Sequence, residues 1–241
     1  MIWALAFAIL FKVLGGGSPF MVPKLDNYVK THVVDDSRKD KILDYLDEAK
    51  SLRKKTVKAN KSFFKEFTKL EKSRDAKQSD FDKLIANIVE AQKESQNTNV
   101  MDIQKSQEFI TEDEWNAIKV DIGKGFEKSA KKRAKEINKL NKEFKKWEGK
   151  ISKTIADKEK REQAIAAVEK LKITYIDTKN KVQTELINSN SIIYNYKAPE
   201  EKLVTLQKNY LEWMKEVLDT GATTHLKLVE LTTPEEWNKI M

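Results

Sequence analysis

Cysteine is absent from the sequence, and histidine is nearly so, with two in 241 residues. These absences exclude a disulfide framework, an iron–sulfur cluster, a thiolate zinc site and a cysteine nucleophile. Two histidines leave little material for a histidine-based metal site or a catalytic triad. Neither His32 nor His225 has a partner that the sequence identifies, and both read as solvent-facing or capping residues. Only seven glycines and four prolines are present, too few for an all-β fold with many tight turns. Gly123-x-Gly125 lacks the further glycine and preceding strand of a dinucleotide loop. Gly15-Gly16-Gly17 lacks the Lys-Ser/Thr of a phosphate loop. No catalytic constellation emerges, so the reading is of a protein that is not an enzyme and needs no cofactor.

One long apolar run is present. Ile2, Trp3, Leu5, Phe7, Ile9, Leu10 and Phe11 belong to an unbroken apolar segment that Lys12 interrupts and Gly15 to Pro19 ends. Thirteen helical residues cover about 20 Å, short of the ~30 Å of a bilayer core. Residues 15–23 could extend the embedded part, and Lys12 could snorkel. A cleaved signal peptide would show a basic n-region and an A-x-A-like cleavage site, and neither is here. An uncleaved membrane anchor is therefore the leading expectation for residues 1–23, with an arm docked on a partner as the alternative. Lys24, Lys30, Arg38 and Lys39 follow the run. By the positive-inside rule they would keep the body in the cytoplasm.

Beyond Pro23 the periodicity is helical. Ile42, Tyr45, Ala49, Leu52, Thr56, Ala59, Phe63, Phe67 and Leu70 recur every three or four residues, which is one helix face. Asp35, Asp36 and Ser37 supply candidate N-caps. Residues 74–79 read as a turn, with Ser79 or Asp80 capping a second helix that SQNTN at 95–99 would break or fray. Thr111-Glu112-Asp113-Glu114 is a capping box opening a helix with the stripe Trp115, Ile118, Ile122, Phe126, Ile137, Leu140, Phe144 and Trp147. Gly149 either ends this helix or lets it continue. A long segment over roughly 156–196 follows. Ala198-Pro199-Glu200 then opens another helix, for which Gly221 is a plausible stop. His225 would fall in the linker beyond it. Thr233-Pro234-Glu235-Glu236 starts a last short helix, with Pro at its first position.

The chain is written twice. Ile110 to Ile118 matches Leu231 to Ile240, and Trp115 meets Trp237 at an offset of 122 positions. At that offset Phe81 falls on Leu203, Leu84 on Leu206, Ile88 on Tyr210 and Leu46 on Val168. The expected fold is therefore all-α, with long antiparallel helical hairpins in a bundle behind an N-terminal hydrophobic anchor helix. Its parts are an anchor or docking arm at 1–23, a first hairpin unit at 24–123, a basic connecting helix at 124–150 and a second hairpin unit at 151–241. Thr111, Glu114 and Trp115, with Thr233, Glu236 and Trp237, are the repeated caps.

A long helical hairpin followed by a T-x-x-[EQ] helix start resembles the Spy/CpxP group of periplasmic proteins, whose motif reads LTxxQ. The matching stretches are Ile110 to Glu114 and Leu231 to Glu236, and the likeness could cover residues 35–119 and 156–241 as a tandem. Glu stands where the family has Gln, and a tryptophan follows. The resemblance implies an envelope protein of the ATP-independent chaperone or stress-adaptor kind, all-α and without cofactor. It thus implies a periplasmic body, against the charge bias.

Charge is unevenly placed. Of the net +8, residues 124–150 carry +7, with eleven basic and four acidic side chains. Lys128, Lys131, Lys132, Arg133, Lys135, Lys139, Lys142, Lys145 and Lys146 form a candidate surface for an acidic partner, a protein client or anionic lipid. No nucleic-acid module accompanies the charge, which argues against nucleic acid. A solvated outer helix face is the simplest reading. Phe64 lies off its helix's main stripe and is a candidate client-binding aromatic. Three functions follow: a membrane-tethered binding protein of the cell envelope, a structural or accessory subunit of a membrane complex, and a peripheral anionic-lipid binder.

Overall fold

The computed structural model describes residues 24–188 and 194–241, and their side chains except at 49, 51–53, 125–134, 136, 183 and 186–188. The expected anchor at 1–23 lies outside these residues. Among the described residues there are seven helices and no strands: α1 (Leu25–His32), α2 (Asp36–Lys72), α3 (Gln78–Phe109), α4 (Glu112–Thr154), α5 (Lys158–Asn188), α6 (Glu200–Leu231) and α7 (Pro234–Ile240). The protein is all-α. No helix among the described residues is long and apolar enough to cross a membrane.

The ends of the helices are set by local chemistry. Asp35 caps α2 by accepting from the Arg38 N–H at 2.8 Å, and Asp157 accepts from the Lys160 N–H at 2.9 Å before α5. Thr111 and Thr233 each close a reciprocal capping box. The Glu114 N–H donates to Thr111 at 3.3 Å while Glu114 accepts from the Thr111 N–H at 2.9 Å. Glu236 and Thr233 do the same at 3.2 and 2.9 Å. Each box satisfies backbone donors that a helix start leaves without partners. Asp80 belongs to the first turn of α3 and accepts from the Lys77 N–H at 2.9 Å, so the turn closes at Lys77 instead of Ser79.

Two expected interruptions are helical, and the choice left open at Gly149 falls to a continuous helix. α3 runs straight through 95–99, α4 passes Gly149 and folds back only at 155–157, and α6 continues ten residues beyond Gly221 to Leu231. Gly221 is buried, with Leu218, Ala222 and His225 on the same side of the helix. Helix stability there comes from tertiary packing, which outweighs single-residue propensity. The basic segment 124–150 accordingly lies within α4, a continuous helix of 43 residues, about 65 Å long at 1.5 Å per residue.

Helix limits and burial recur at the offset of 122. α3 (78–109) maps onto α6 (200–231), and α4 starts at Glu112 where α7 starts at Pro234. Leu25, Val29 and Val33 in and after α1 map onto Trp147, Ile151 and Ile155 at the end of α4, and all six are buried. Leu46 and Val168, Phe81 and Leu203, Trp115 and Trp237, and Ile118 and Ile240 are buried in pairs. Residues 25–119 and 147–241 are thus two copies of one arrangement, and the middle of α4 joins them.

The copies dock by exchange. α2 packs along α3, α5 along α6, and α3 along α6. The start of α3 meets the end of α6, where the Phe81 ring lies 5.1 Å from the His225 ring. The end of α3 meets the turn before α6, where Gln107 bonds to the Asn195 carbonyl and the Lys197 N–H. The hairpin tip of each copy therefore sits on the Thr-x-x-Glu-Trp end of the other. Arg74 donates to the Thr232 hydroxyl at 3.0 Å and the Thr233 carbonyl at 3.2 Å. Its equivalent, Tyr196, donates to the Ile110 carbonyl at 3.0 Å. Two cores result. One lies around Trp115, with Leu25, Ile42, Ile103, Tyr194 and Leu203. The other lies around Trp147 and Trp237, with Phe67, Phe81, Tyr175 and Met214.

Candidate functional site

The sequence points to surfaces, and the helices place them as follows. On α4, Lys135, Lys139, Lys142, Lys145 and Lys146 are exposed, while Leu140, Phe144 and Trp147 on the same helix are buried. Both ends of the heptad-like stripe, Trp115 to Ile122 and Leu140 to Trp147, are therefore core, and these lysines stand on the solvent side. The side chains of Lys128, Lys131, Lys132 and Arg133 lie outside the described residues. Some positive charge is locally balanced: Lys146 pairs with Glu143 at 2.9 Å. Glu148 is pushed above the usual carboxylate range by burial against the facing helix, with Lys172 at 3.8 Å opposing the shift.

Phe64 is half-buried and packs against the larger core, its ring edge-on to Phe63 at a centroid distance of 6.0 Å. It is a shoulder of the core more than a projecting aromatic. His225 is 1% exposed and sits inside α6, so neither the linker nor the solvent-facing reading holds for it. It lies between the Phe81 and Trp237 rings, 5.1 Å from each. Burial pushes its pKa down to about 4, with the Ser73 backbone opposing. It is neutral at pH 7. His32 is half-buried and bonds to Asp121 at 2.9 Å.

The repeated cap residues are structural anchors. Glu114 is the most elaborately held: Arg38 grips it in a fork at 2.8 and 3.0 Å, and the N–H groups of Val34 and Thr111 add to it. The arginine fork, before the backbone donors, holds its pKa down to about 2. Glu236 receives the Ala156 N–H at 3.4 Å, the counterpart of Val34, but Lys160 stands in place of Arg38. Trp115 is fully buried and donates to the Tyr194 carbonyl at 2.8 Å.

One surface feature was not anticipated from the sequence. An open groove of about 490 Å³ runs between α5 and α6, with Ala167 on its α5 side and Thr220, Thr223 and Thr224 on its α6 side. Lys170, Lys215 and Lys227 are balanced there by Glu212, Glu216 and Asp219. The signal for it was in the repeat: Ala167 takes the position of Tyr45, and a ring is exchanged for a methyl group.

Among the described residues no three His, Cys, Asp or Glu side chains are grouped so as to hold a metal ion. No protein-family model, no curated protein and no solved structure matches the chain.

Proposed function

We propose that the protein is a non-enzymatic helical binding protein of the cell envelope, held at a membrane by residues 1–23 and contacting protein clients in a chaperone-like way, as in the Spy/CpxP group. The observation that carries this reading is the exposed lysine face of α4. It lies on the continuous helix that joins the two copies, and Leu140, Phe144 and Trp147 behind it are already buried. Such a face recognises acidic or amphipathic segments by charge, with the lysine stems adding apolar contact. The test is suppression of aggregation of a denatured acidic client by the full-length protein, without ATP. Protection at stoichiometric ratios is expected, reduced by the combined change Lys139→Gln, Lys142→Gln and Lys146→Gln. No protection removes the chaperone reading. Recovery from mild detergent in a fixed-stoichiometry assembly would then favour a structural subunit.

The same lysine face favours a second reading, contact with anionic lipid headgroups, where each basic residue near the surface adds ~1 kcal/mol. It predicts that residues 24–241 bind vesicles containing phosphatidylserine at low salt and release them at high salt. Binding that is indifferent to lipid charge would remove it.

A further inference from the structure

The two hairpins present the same polar residues at one place. Glu90, Lys93, Glu94, Thr98 and Lys105 on α3 recur as Glu212, Lys215, Glu216, Thr220 and Lys227 on α6. The residue across from the lysine, Lys105 or Lys227, differs. In the first copy Tyr45 projects from α2, and the Lys105 ammonium stands 4.7 Å from the centre of its ring. In the second copy Ala167 is in that position, and the groove between α5 and α6 is open. Lys227, with no ring beneath it, pairs with Glu230 on its own helix at 2.9 Å.

We infer that this groove receives an aromatic side chain of a protein partner, tyrosine by preference, in the place that Tyr45 fills in the first copy, with Lys227 swinging over the ring. Three observations support that occupant over others. The chain's own Tyr45 shows a ring capped by the lysine that Lys227 matches, although Lys170, Asp219, Thr223 and Thr224 of the groove stand where the first copy has Glu48, Asn97, Met101 and Asp102. Three lysines and three carboxylates line the groove, so its net charge suits neither a phosphate-rich ligand nor a strongly acidic segment. Thr220 and Thr224 donate their hydroxyl protons to helix carbonyls, each at 2.8 Å, so neither hydroxyl proton is free for a polar ligand. A cation over an aromatic ring at an exposed site strengthens binding by roughly two- to fivefold. No residue of α4 lines the groove, so the inference stands apart from the lysine-face reading. Failure of client protection or vesicle binding would leave it untouched.

The test is a titration of the ¹⁵N-labelled full-length protein with two blocked pentapeptides, Gly-Ser-Tyr-Ser-Gly and its leucine analogue, into the millimolar range. The expected result is saturable shifts at the amides of Ala167, Thr220, Thr223, Thr224 and Lys227. The leucine peptide should bind about threefold or more weakly, and Lys227→Ala should cost the tyrosine peptide a similar factor. Ala167→Tyr, which recreates the first copy's arrangement, should fold and lose the interaction. Equal binding of both peptides, shifts elsewhere on the molecule, no saturable shift at all, or undiminished binding by a folded Ala167→Tyr protein would each overturn the inference. Should Ala167→Tyr not fold, the leucine comparison and Lys227→Ala decide the matter alone.

Discussion

At the middle of the first hairpin Gln92 donates to Asn60 at 2.7 Å, and both are buried. At the same place in the second hairpin stand Met214 and Val182, also buried. The contrast extends along the helix. α3 buries Ser95, Gln96, Asn99, Asp102 and Ser106, where α6 places Val217, Leu218, Gly221, Thr224 and Leu228. Yet the helix limits coincide, and so do the capping boxes. The frame is therefore fixed at the helix ends, by caps and by the buried tryptophans. The interior between them holds either amides or hydrocarbon: Gln92 and Asn60 satisfy each other, whereas the fully buried Gln96 amide has no hydrogen-bond partner. A buried polar pair contributes less net stabilisation than packed hydrocarbon but is demanding about geometry. The first hairpin accepts that constraint and the second does not.

The largest test of this equivalence removes the tryptophans. Trp115→Ala and Trp237→Ala should each cost ~3–5 kcal/mol, the range for deleting a large buried aromatic. Trp115→Ala should be the worse by about 1 kcal/mol, because it also leaves the Tyr194 carbonyl without its donor. Urea midpoints at constant slope would measure both. A severe loss in one copy with a mild loss in the other would show that the two ends are not equivalent supports.

His225 breaks the symmetry in a way that pH can read, since Ile103 holds its place in the first copy and cannot titrate. A folded-state pKa near 4 against about 6.5 for an unfolded histidine means that the unfolded chain binds the extra proton first. Stability should fall as pH drops below 6.5 and level off below about 4. The shift is worth on the order of 3 kcal/mol at about 1.4 kcal/mol per pKa unit. Glu114 loses its contribution lower down, from its ordinary range towards pH 2, so the two windows separate. His225→Ile, copying the first copy, should flatten the pH 4–6.5 segment of a stability profile and leave the lower one. An unchanged profile would mean that His225 does not titrate differently on unfolding.

The starts of α2, α4 and α7 were legible in the sequence because capping is local: Asp35, Thr111 and Thr233 lie within three residues of the groups they satisfy, whereas α1 was not singled out and α3 starts at Gln78, ahead of the expected caps. The repeat was legible because Trp115 and Trp237 are rare residues in a matching setting. What failed was tertiary. Ser95 and Asn99 weaken an isolated helix by only a few tenths of a kcal/mol each, and here both are buried, with the Asn99 amide donating to the Ser95 carbonyl at 2.8 Å. His225 looked like a linker residue because its ring neighbour Phe81 is 144 positions away. The groove was hidden because an alanine on a helix carries no signal until its counterpart Tyr45 is set beside it.

A smaller effect tests the interiors. Asn60→Val alone leaves the buried Gln92 amide without its partner and should cost ~1–3 kcal/mol. Adding Gln92→Met gives the first hairpin the second's composition at this level and should recover most of the loss, read as a coupling energy in a double-mutant cycle. If the double variant is as unstable as the sum of the singles, the shared frame does not make the two fillings interchangeable.

The smallest effect concerns the joining helix, where the copies differ by a residue with no evident packing role. Gly149 on α4 corresponds to Asn27 on α1. A Cβ built on Gly149 meets nothing within 4 Å, so alanine there should fit without adjustment. The backbone is already helical, and alanine exceeds glycine in a helix interior by roughly 0.5–1 kcal/mol through the smaller entropy it loses on folding. Gly149→Ala should therefore stabilise the protein by about that amount, seen as a small rise in the urea midpoint at constant slope. A loss instead would mean that this stretch of α4 needs to bend at Gly149, where the second copy's counterpart of α1 begins.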